Sequence, residues 1–430
     1  MTRSAKLSRR DVPDAPPATL LPRLLATAAD PGFDAHFRQW GQMPGGGPLL
    51  IEEIDRAGLR GRGGASFPTG KKLAAVAAGN RPVVVANGTE AEPLSHKDKT
   101  LLASAPHLVL DGVSIAAETV GADQAVVCVE RGGSAAARAL SAALAERRSV
   151  EADAVDIRLE EVPRRYVAGE ESALVHWLNG GEAKPTFVPP RPFERGVGGR
   201  ATLVNNVETL ANVALIARFG AGWFRSLGTA EDPGSALVTI LGDVERAGVY
   251  EFALGSSVET ALRSAGVGPS AHAVLSGAFA GTWLPVARAR SLTVDRASFA
   301  AASASLGCGS LFVHGSQYCG LATTARIAGW MASQSAGQCG PCLHGLPAVA
   351  DALDALAAGD PRGRWEAQLR RWLDMLPGRG ACHHPDGTVR MIRSALTVFA
   401  DDIAVHRKRR SCGLPPAPVP VPAPGATSWR

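Results

Sequence analysis

Five short stretches of this 430-residue chain combine residue types and spacings that could do chemistry. The first runs Gly58-Leu-Arg-Gly-Arg-Gly-Gly-Ala-Ser-Phe-Pro-Thr-Gly-Lys-Lys72. Gly61, Gly63 and Gly64 let a backbone approach an anionic ligand closely, and Arg62 and Lys72 add positive charge. Phosphate or dinucleotide cradling is one reading. A plain glycine-rich turn is the other, because neither G-x-x-x-x-G-K-[ST] nor G-x-G-x-x-G matches. The second stretch is Asn87-Gly-Thr-Glu-Ala-Glu-Pro93, directly after a β-branched run. Asn87, Glu90 and Glu92 could hydrogen-bond a heterocycle or sugar beyond the end of a strand, or form a solvated turn and a helix cap. In the third, Tyr166 to Leu174, the adjacent Glu170 and Glu171 follow Gly169 and either serve a site or start a helix. In the fourth, Asn205 and Asn206 of Val204-Asn-Asn-Val-Glu-Thr209 either cap a helix or bind a cofactor.

The fifth is Cys339-Gly-Pro-Cys342, with Cys382 following 40 residues later. Close cysteine pairs with a distant third read as a metal or iron–sulfur site, with a redox disulfide or inert buried thiols as rivals. His344, His383 and His384 lie nearby, so a Cys₃His zinc site is also chemically possible. Cys128, Cys308 and Cys319 sit among apolar or small residues and read as structural. Cys412 reads as a free thiol beside the tail.

The elements that must position these stretches form an alternating pattern. Pro82 to Ala86, Gln124 to Val129 and Ala154 to Leu159 read as strands, and Ser134 to Arg147 as a helix, which favours a mostly parallel sheet. A short helical patch is expected at Leu20 to Ala28, and an ordered Pro/Gly/Arg loop at Val188 to Arg200. Ala236 to Gly242, Gly248 to Phe252 and a helix near Val258 to Ala265 outline a small α+β module over 234–300. Beyond it, Leu346, Val349, Leu353 and Leu356, then Trp365, Leu369, Trp372 and Leu376, follow a period near 3.6 and predict a helical bundle.

Composition sets the outer limits. Hydrophobic residues make up 46% and charged residues 20%, enough for buried cores and too apolar for a disordered chain. A net charge of +5 and 5% aromatics argue against a nucleic-acid surface. No window reaches the roughly 18 apolar residues of a membrane helix. The Arg9-Arg10 pair lacks the apolar stretch that would complete a twin-arginine signal. A cytoplasmic location is expected, alone or peripheral to a membrane complex.

Taken in order, the motifs resemble the NADH-oxidising flavoprotein subunit of respiratory complex I and its relatives in NAD-linked hydrogenases and formate dehydrogenases. The resemblance spans about residues 49–405. It rests on Gly61 to Lys72, on Asn87, Glu90, Glu92 and Pro93, on Tyr166 to Leu174, and on Asn205 to Leu210. It implies an FMN/NADH-binding α/β domain over 46–233, a β-grasp domain of the soluble-ligand-binding type over 234–300, and a helical Fe–S-binding domain over 301–411. An N-terminal extension (1–45) and a disordered Pro-rich tail (412–430) flank them. FMN would lie on the glycine-rich loop with Asn87, Glu90, Tyr166, Gly169, Glu170, Asn205 and Asn206. NADH or NADPH would stack over it near Phe67, Glu92 and Glu171, with Glu171 shaping hydride donation.

The chain departs from the family pattern at several points. The first of four cluster cysteines is Ala336, leaving Cys339, Cys342 and Cys382, so the cluster is a [4Fe–4S] with one non-cysteine ligand, a [3Fe–4S], or absent. Gln338, His344 and His383 are candidate fourth ligands. Thr89 stands where the family has an acid, Leu73 replaces an aromatic residue, and Val188-Pro-Pro-Arg191 replaces K-P-P-F. The implied function is electron transfer from NAD(P)H through FMN and an iron–sulfur centre to a ferredoxin-like or other Fe–S protein partner. The rival is a scaffold or electron-transfer subunit without nicotinamide binding, its cluster replaced by zinc, degenerate or lost.

Overall fold

The computed structural model describes residues 21–422 and 428–430. Residues 1–20, with the Arg9-Arg10 pair, and 423–427 of the tail lie outside the described residues. The chain is a mixed α/β protein built on two sheets and a helical end.

The first sheet is wholly parallel, in the order β3-β2-β1-β4: β1 is Val83–Asn87, β2 Gln124–Glu130, β3 Asp156–Val162 and β4 Thr202–Asn206. β1, β2 and β4 are buried on both faces, as a parallel sheet covered on two sides requires, while the edge strand β3 is largely exposed or half-buried. Val84, Ala86, Ala125 and Val127 face a core made with α2 (Leu49–Ala57), α3 (Thr69–Ala77), α5 (Pro106–Val120), α6 (Ala135–Ser149) and α8 (Val207–Phe224). Val83, Val85 and Val126 face the other way, onto Leu174 and Val175 of α7 (Glu171–Leu178) and onto Ala183 and Val197 of the loop after it. Successive residues of one strand therefore serve different cores.

The second sheet has the order β6-β5-β9-β7-β8, with β5 Ser235–Gly242, β6 Gly248–Ala253, β7 Ala271–Ser276, β8 Thr282–Pro285 and β9 Ser310–Gly315. Only the β5–β9 pair is parallel. One face packs on α9 (Val258–Ser264), α10 (Val286–Arg290) and α11 (Arg296–Ala301). The other packs Leu275, Trp283 and Phe312 against the helices α12 (Gly320–Ser333), α13 (Leu346–Ala357), α14 (Arg364–Met375), α15 (His384–Val398) and α16 (Ala400–Arg409). The boundary expected at residue 300 falls inside this unit, because β9 is its central strand. A central strand separated by a long connection leaves no local mark in the sequence.

Two terminal expectations are also corrected. Residues 21–30 form turns rather than a helical patch, and a helix not foreseen follows, α1 (Phe33–Trp40). This segment is docked: Leu24 and Trp40 are buried, and His36 meets Asp111 at 2.9 Å. Burial works against the Asp111 carboxylate, but His36, Arg147 and Arg218 outweigh it and hold it well below the usual range. The tail over 412–422 is not disordered. Ala417 and Val419 are buried in the helical core, the Cys319 amide donates to Pro415 O at 2.8 Å, and the Ala417 amide donates to Thr323 Oγ1 at 2.8 Å. Prolines leave few backbone donors to satisfy, so such a segment can lie in a groove with two anchoring hydrogen bonds.

Helices α5 and α8 cross so closely that a Cβ on Gly112 would lie 1.9 Å from Leu210 O. Gly112→Ala is expected to cost about 1–3 kcal/mol or more through forced separation of the helices. Gly222→Ala, with nothing within 4 Å, is the control and should leave the melting temperature within error or slightly raised.

Candidate functional site

Sheet order reverses between β1 and β4, and the crevice beyond their carboxyl ends is the place where open α/β sheets bind ligands. The register pairs Asn87 with Asn206 and Ala86 with Asn205, so motifs far apart in sequence meet there.

The glycine-rich stretch closes over this edge as a loop. Arg60 and Pro68 form a bridge, the Gly61 amide donates to Phe67 O at 2.9 Å, and the Thr69 amide donates to Leu59 O at 2.9 Å. Gly64 has φ +108, which an L side chain adopts only under strain. A Cβ on Gly63 would stand 3.4 Å from Asn206 Cβ. Phe67 projects half-exposed from the loop. Lys72, on α3, reaches across to donate to Val204 O at 2.7 Å and to pair with Glu171 at 3.1 Å. Arg62 lies half-buried beside Glu208 and Asp232, and desolvation lowers its pKa. Its guanidinium donates to Pro233 O at 3.3 Å, so its charge faces the second sheet and not the strand ends. A cleft of about 780 Å³ lies there, lined by Gly61, Arg62, Lys97, Glu208 and Asp232.

Several sequence candidates are held by the protein itself. Asn87 Nδ2 donates to Gly169 O at 2.8 Å, while its Oδ1 accepts from Thr89 Oγ1 at 2.6 Å. Glu90 accepts from the Asp98 and Lys99 amides at 3.1 and 3.0 Å and so caps α4 (Lys97–Ser104). Glu170 is the N-cap of α7, accepting from the Ser172 and Ala173 amides at 3.0 and 3.2 Å, and Asn206 is the N-cap of α8. Both cap alternatives read from the sequence are thus realised. Glu92 accepts from the Leu94 and Phe279 amides at 3.1 and 3.2 Å and from the Tyr166 hydroxyl. Burial pushes its pKa up to about 7. Tyr166 itself packs, half-buried, against Trp330 and His384.

Lys97 is a residue that sequence reasoning missed. Its side chain is 1% exposed and pairs with Asp98 at 2.6 Å and Glu208 at 2.9 Å, with Asn206 Oδ1 at 3.2 Å. Burial works against the ammonium, but Asp98, Glu208 and Glu90 outweigh it and raise its pKa. The only signal was a lysine four residues after a proline, which marks nothing by itself. Cys308 was read as structural. It lies half-buried, close enough to Glu92 and Lys97 to feel both charges, with its thiol pushed up to about 12, chiefly by desolvation.

At the helical end, Cys342 sits in the wide turn Pro341–Gly345 and its amide donates to Cys339 O at 3.0 Å. Burial, then the neighbouring thiols of Cys339 and Cys382, push Cys342 up to about 12. Cys339 and Cys382 are thus near enough to act electrostatically on Cys342. Glu170 acts electrostatically on Cys382, Gln334 Oε1 accepts from the Tyr166 amide at 3.3 Å, and Gln338 Nε2 donates to Pro185 O at 2.8 Å. The cysteine-bearing end is thus packed against the Tyr166–Glu171 turn.

Residues 54–215 match the family described as the Nuo51 FMN-binding domain, and residues 322–406 the NADH-ubiquinone oxidoreductase-F iron-sulfur binding region. An NADH-quinone oxidoreductase F subunit of Rhizobium meliloti (strain 1021) is 30% identical over 378 residues, covering 84% of this chain and 90% of its own. The chain belongs to the family of NADH-quinone oxidoreductase F subunits. The F subunit of Mycobacterium bovis is 31% identical, covering 85% of this chain and 86% of its own. The NADP-reducing hydrogenase subunit HndC of Solidesulfovibrio fructosivorans is 28% identical, with 84% and 77% covered. Among solved structures, a chain of an NAD⁺-reducing [NiFe]-hydrogenase in the H₂-reduced state superposes with a TM-score of 0.77 at 30% identity. That match covers 88% of this chain, which spans 63% of the hydrogenase chain's length.

The residues present fit what an F-type flavoprotein must hold. Asn205 Nδ2 is buried at the end of β4 without a hydrogen-bond partner, an arrangement that costs free energy unless a ligand accepts from it. Its neighbour Asn206 is the residue that meets the glycine loop, at Gly63. Cys339, Cys342 and Cys382 supply three soft thiol donors suited to iron and sulfide. Ala336 supplies none. His383 points into solvent and pairs with Asp386 at 3.3 Å, and His344 is exposed.

The buried charges make two outcomes measurable. Lys97→Met leaves Asp98 and Glu208 unpaired and is expected to cost about 3–5 kcal/mol in urea unfolding. Glu92 keeps its proton in the folded chain up to about pH 7, against an ordinary value of 4.5. Its contribution to stability is therefore greatest below pH 4.5, is lost as pH rises through 7, and amounts to at most about 3 kcal/mol. The melting temperature of wild type relative to Glu92→Gln should fall between about pH 5 and pH 8; a constant difference would refute the shift.

Proposed function

We propose that this chain passes electrons from NADH or NADPH, through FMN and an iron–sulfur centre, to a protein acceptor. The unpaired, buried Asn205 amide at the end of β4 carries the reading, supported by the thiols of Cys339, Cys342 and Cys382 on the end packed against the Tyr166–Glu171 turn. When bound, FMN accepts an electron pair as hydride and releases it as single electrons, and the cluster passes those on.

The chain's own residues do the positioning. Gly61, Gly63 and Gly64 allow close approach of the flavin's phosphate-bearing side, and Asn205 and Asn206 meet it at the strand end. Asn87 acts through Gly169, whose carbonyl it fixes, because both polar ends of its amide are already engaged. Glu90 and Glu170 support the same edge by capping α4 and α7. Tyr166 and Glu92 form a hydrogen-bonded, water-poor pair beneath it. Lys72 holds Glu171 at the rim, so that Glu171 presents a partly neutralised carboxylate to a nicotinamide. The exposed rings of Phe67 and Phe187 provide stacking surface that the buried Leu73 does not. Arg191 is exposed and available to a phosphorylated ribose.

Cys339, Cys342 and Cys382 would hold a [4Fe–4S] cluster with one non-cysteine ligand or a [3Fe–4S] cluster. Gln338 and His344 remain as ligands from the chain, since His383 is turned away. The second sheet, with its flanking helices, is assigned to the soluble-ligand-binding β-grasp type and extends to residue 315. No described helix is by itself long and apolar enough to cross a membrane, and a bound partner subunit carrying further Fe–S centres is the proposed acceptor.

The test is an anaerobic absorption spectrum of the chain reconstituted with FMN, iron and sulfide. Flavin absorption should bleach on adding NADH or NADPH, and Asn205→Ala should weaken FMN binding about tenfold, about 1.4 kcal/mol. Flavin that binds, stays oxidised with either nucleotide and bleaches with dithionite would replace this reading by that of a scaffold subunit without nicotinamide binding.

A further inference from the structure

Cys319, His406 and Cys412 converge in a second group of metal-ligating side chains that shares no residue with the cysteines of the iron–sulfur region. Their ligand atoms all lie within 4.8 Å of one another. They come from three separate elements: Cys319 is the N-cap of α12, His406 lies in the last turn of α16, and Cys412 opens the tail. Cys319 and His406 are 0% and 3% exposed.

The imidazole is oriented as a ligand would be. His406 Nδ1 lies 2.6 Å from Ala357 O, a carbonyl, so Nδ1 carries the proton and donates it. Nε2 then carries the lone pair, and it points at Cys319 Sγ, 3.4 Å away. The Cys412 amide also addresses Nε2, at 3.3 Å. Fixing of one ring nitrogen by a carbonyl is what sets the other as a metal ligand. Bond lengths of about 2.3 Å to sulfur and 2.0–2.1 Å to nitrogen in a tetrahedron place sulfur and nitrogen about 3.5 Å apart, close to the separation here. The Cys319 sulfur also accepts from the Ala322 amide at 3.3 Å, which fixes its position at the start of α12.

We propose that Cys319, His406 and Cys412 bind a zinc ion that staples the tail to the helical end. Two thiolates and one imidazole form a soft, three-ligand set typical of zinc. The fourth position falls to water, since the nearby Asp402 carboxylate accepts from the Gly320 amide at 2.7 Å. The ion joins the start of α12, the end of α16 and residue 412 at one point. The neighbouring tail residues are anchored to α12 through Pro415 and Ala417. The proposal does not depend on the flavin or on the nicotinamide.

The test uses the full chain and the variant Cys339→Ala/Cys342→Ala/Cys382→Ala, which removes the iron–sulfur thiols from the count. Elemental analysis should find one zinc per chain in both. Replacing that zinc with Co²⁺ should give thiolate-to-cobalt charge-transfer bands and the intense visible absorption of a tetrahedral site. Cys412→Ser in the same background should lose the zinc and weaken the cobalt bands while FMN loading stays unchanged. If Cys412→Ser fails to fold, the cobalt spectrum of the triple variant decides by itself. Absence of zinc and of thiolate–cobalt bands would overturn the proposal, as would a Cys319–Cys412 disulfide in the non-reduced peptide map.

Discussion

A single buried ammonium organises the edge of the parallel sheet. Lys97 is almost inaccessible to water, so its charge is tolerable only where carboxylates surround it. Asp98 and Glu208 supply them, and Asn206 adds an oxygen. Those partners lie on α4, α8 and the end of β4, so the pairing fixes three elements against one another. Glu208 also accepts from the Leu237 amide at 3.0 Å, which ties the first strand of the second sheet to the same point. The crevice between the sheets, the glycine loop above it and the approach of the helical end all inherit their geometry from this cluster.

Around that anchor, the motif residues do two kinds of work. Glu90, Glu170 and Asn206 satisfy backbone amides at helix starts, where an unpaired donor would be costly. Asn87 spends both ends of its amide on Thr89 and Gly169. Among the three motif asparagines, Asn205 alone is left with a buried, unsatisfied donor, at the end of β4. A motif that reads as a set of cofactor ligands is therefore mostly a frame that shapes the edge, with few groups left to touch a ligand directly. Thr89 belongs to the same frame, its hydroxyl donating to Asn87 Oδ1 at 2.6 Å.

The helical end follows a similar economy. Tyr166 packs between Trp330 and His384, so the Tyr166–Glu171 turn and the cysteine-bearing helices share one packed interface. Burial holds His384 neutral, with its pKa down at about 4, and its Nε2 meets Met331 O at 2.9 Å. The tail adds a second attachment, where Ala417 and Val419 fill a groove beside α12.

Local pattern determined much of this protein. The β-branched runs became β1, β2, β3 and β5, and the 3.6-residue periods became α13 and α14 with Leu346, Val349, Leu353, Leu356 and Leu369 buried. The motifs and their order placed the chain in its family. What the sequence did not disclose depends on contacts between distant segments. The pairing of β9 into the centre of the second sheet, the docking of residues 21–40 and 412–422, and the burial of Lys97 each join residues far apart along the chain. The convergence of Cys319, His406 and Cys412 is of the same kind, since 87 residues separate the first two. Periodicity and propensity report only a residue's near neighbours. A charge's partner, a strand's register and a ligand set spread over three elements are settled by burial, which forces every polar group taken out of water to find its complement wherever the fold has brought one.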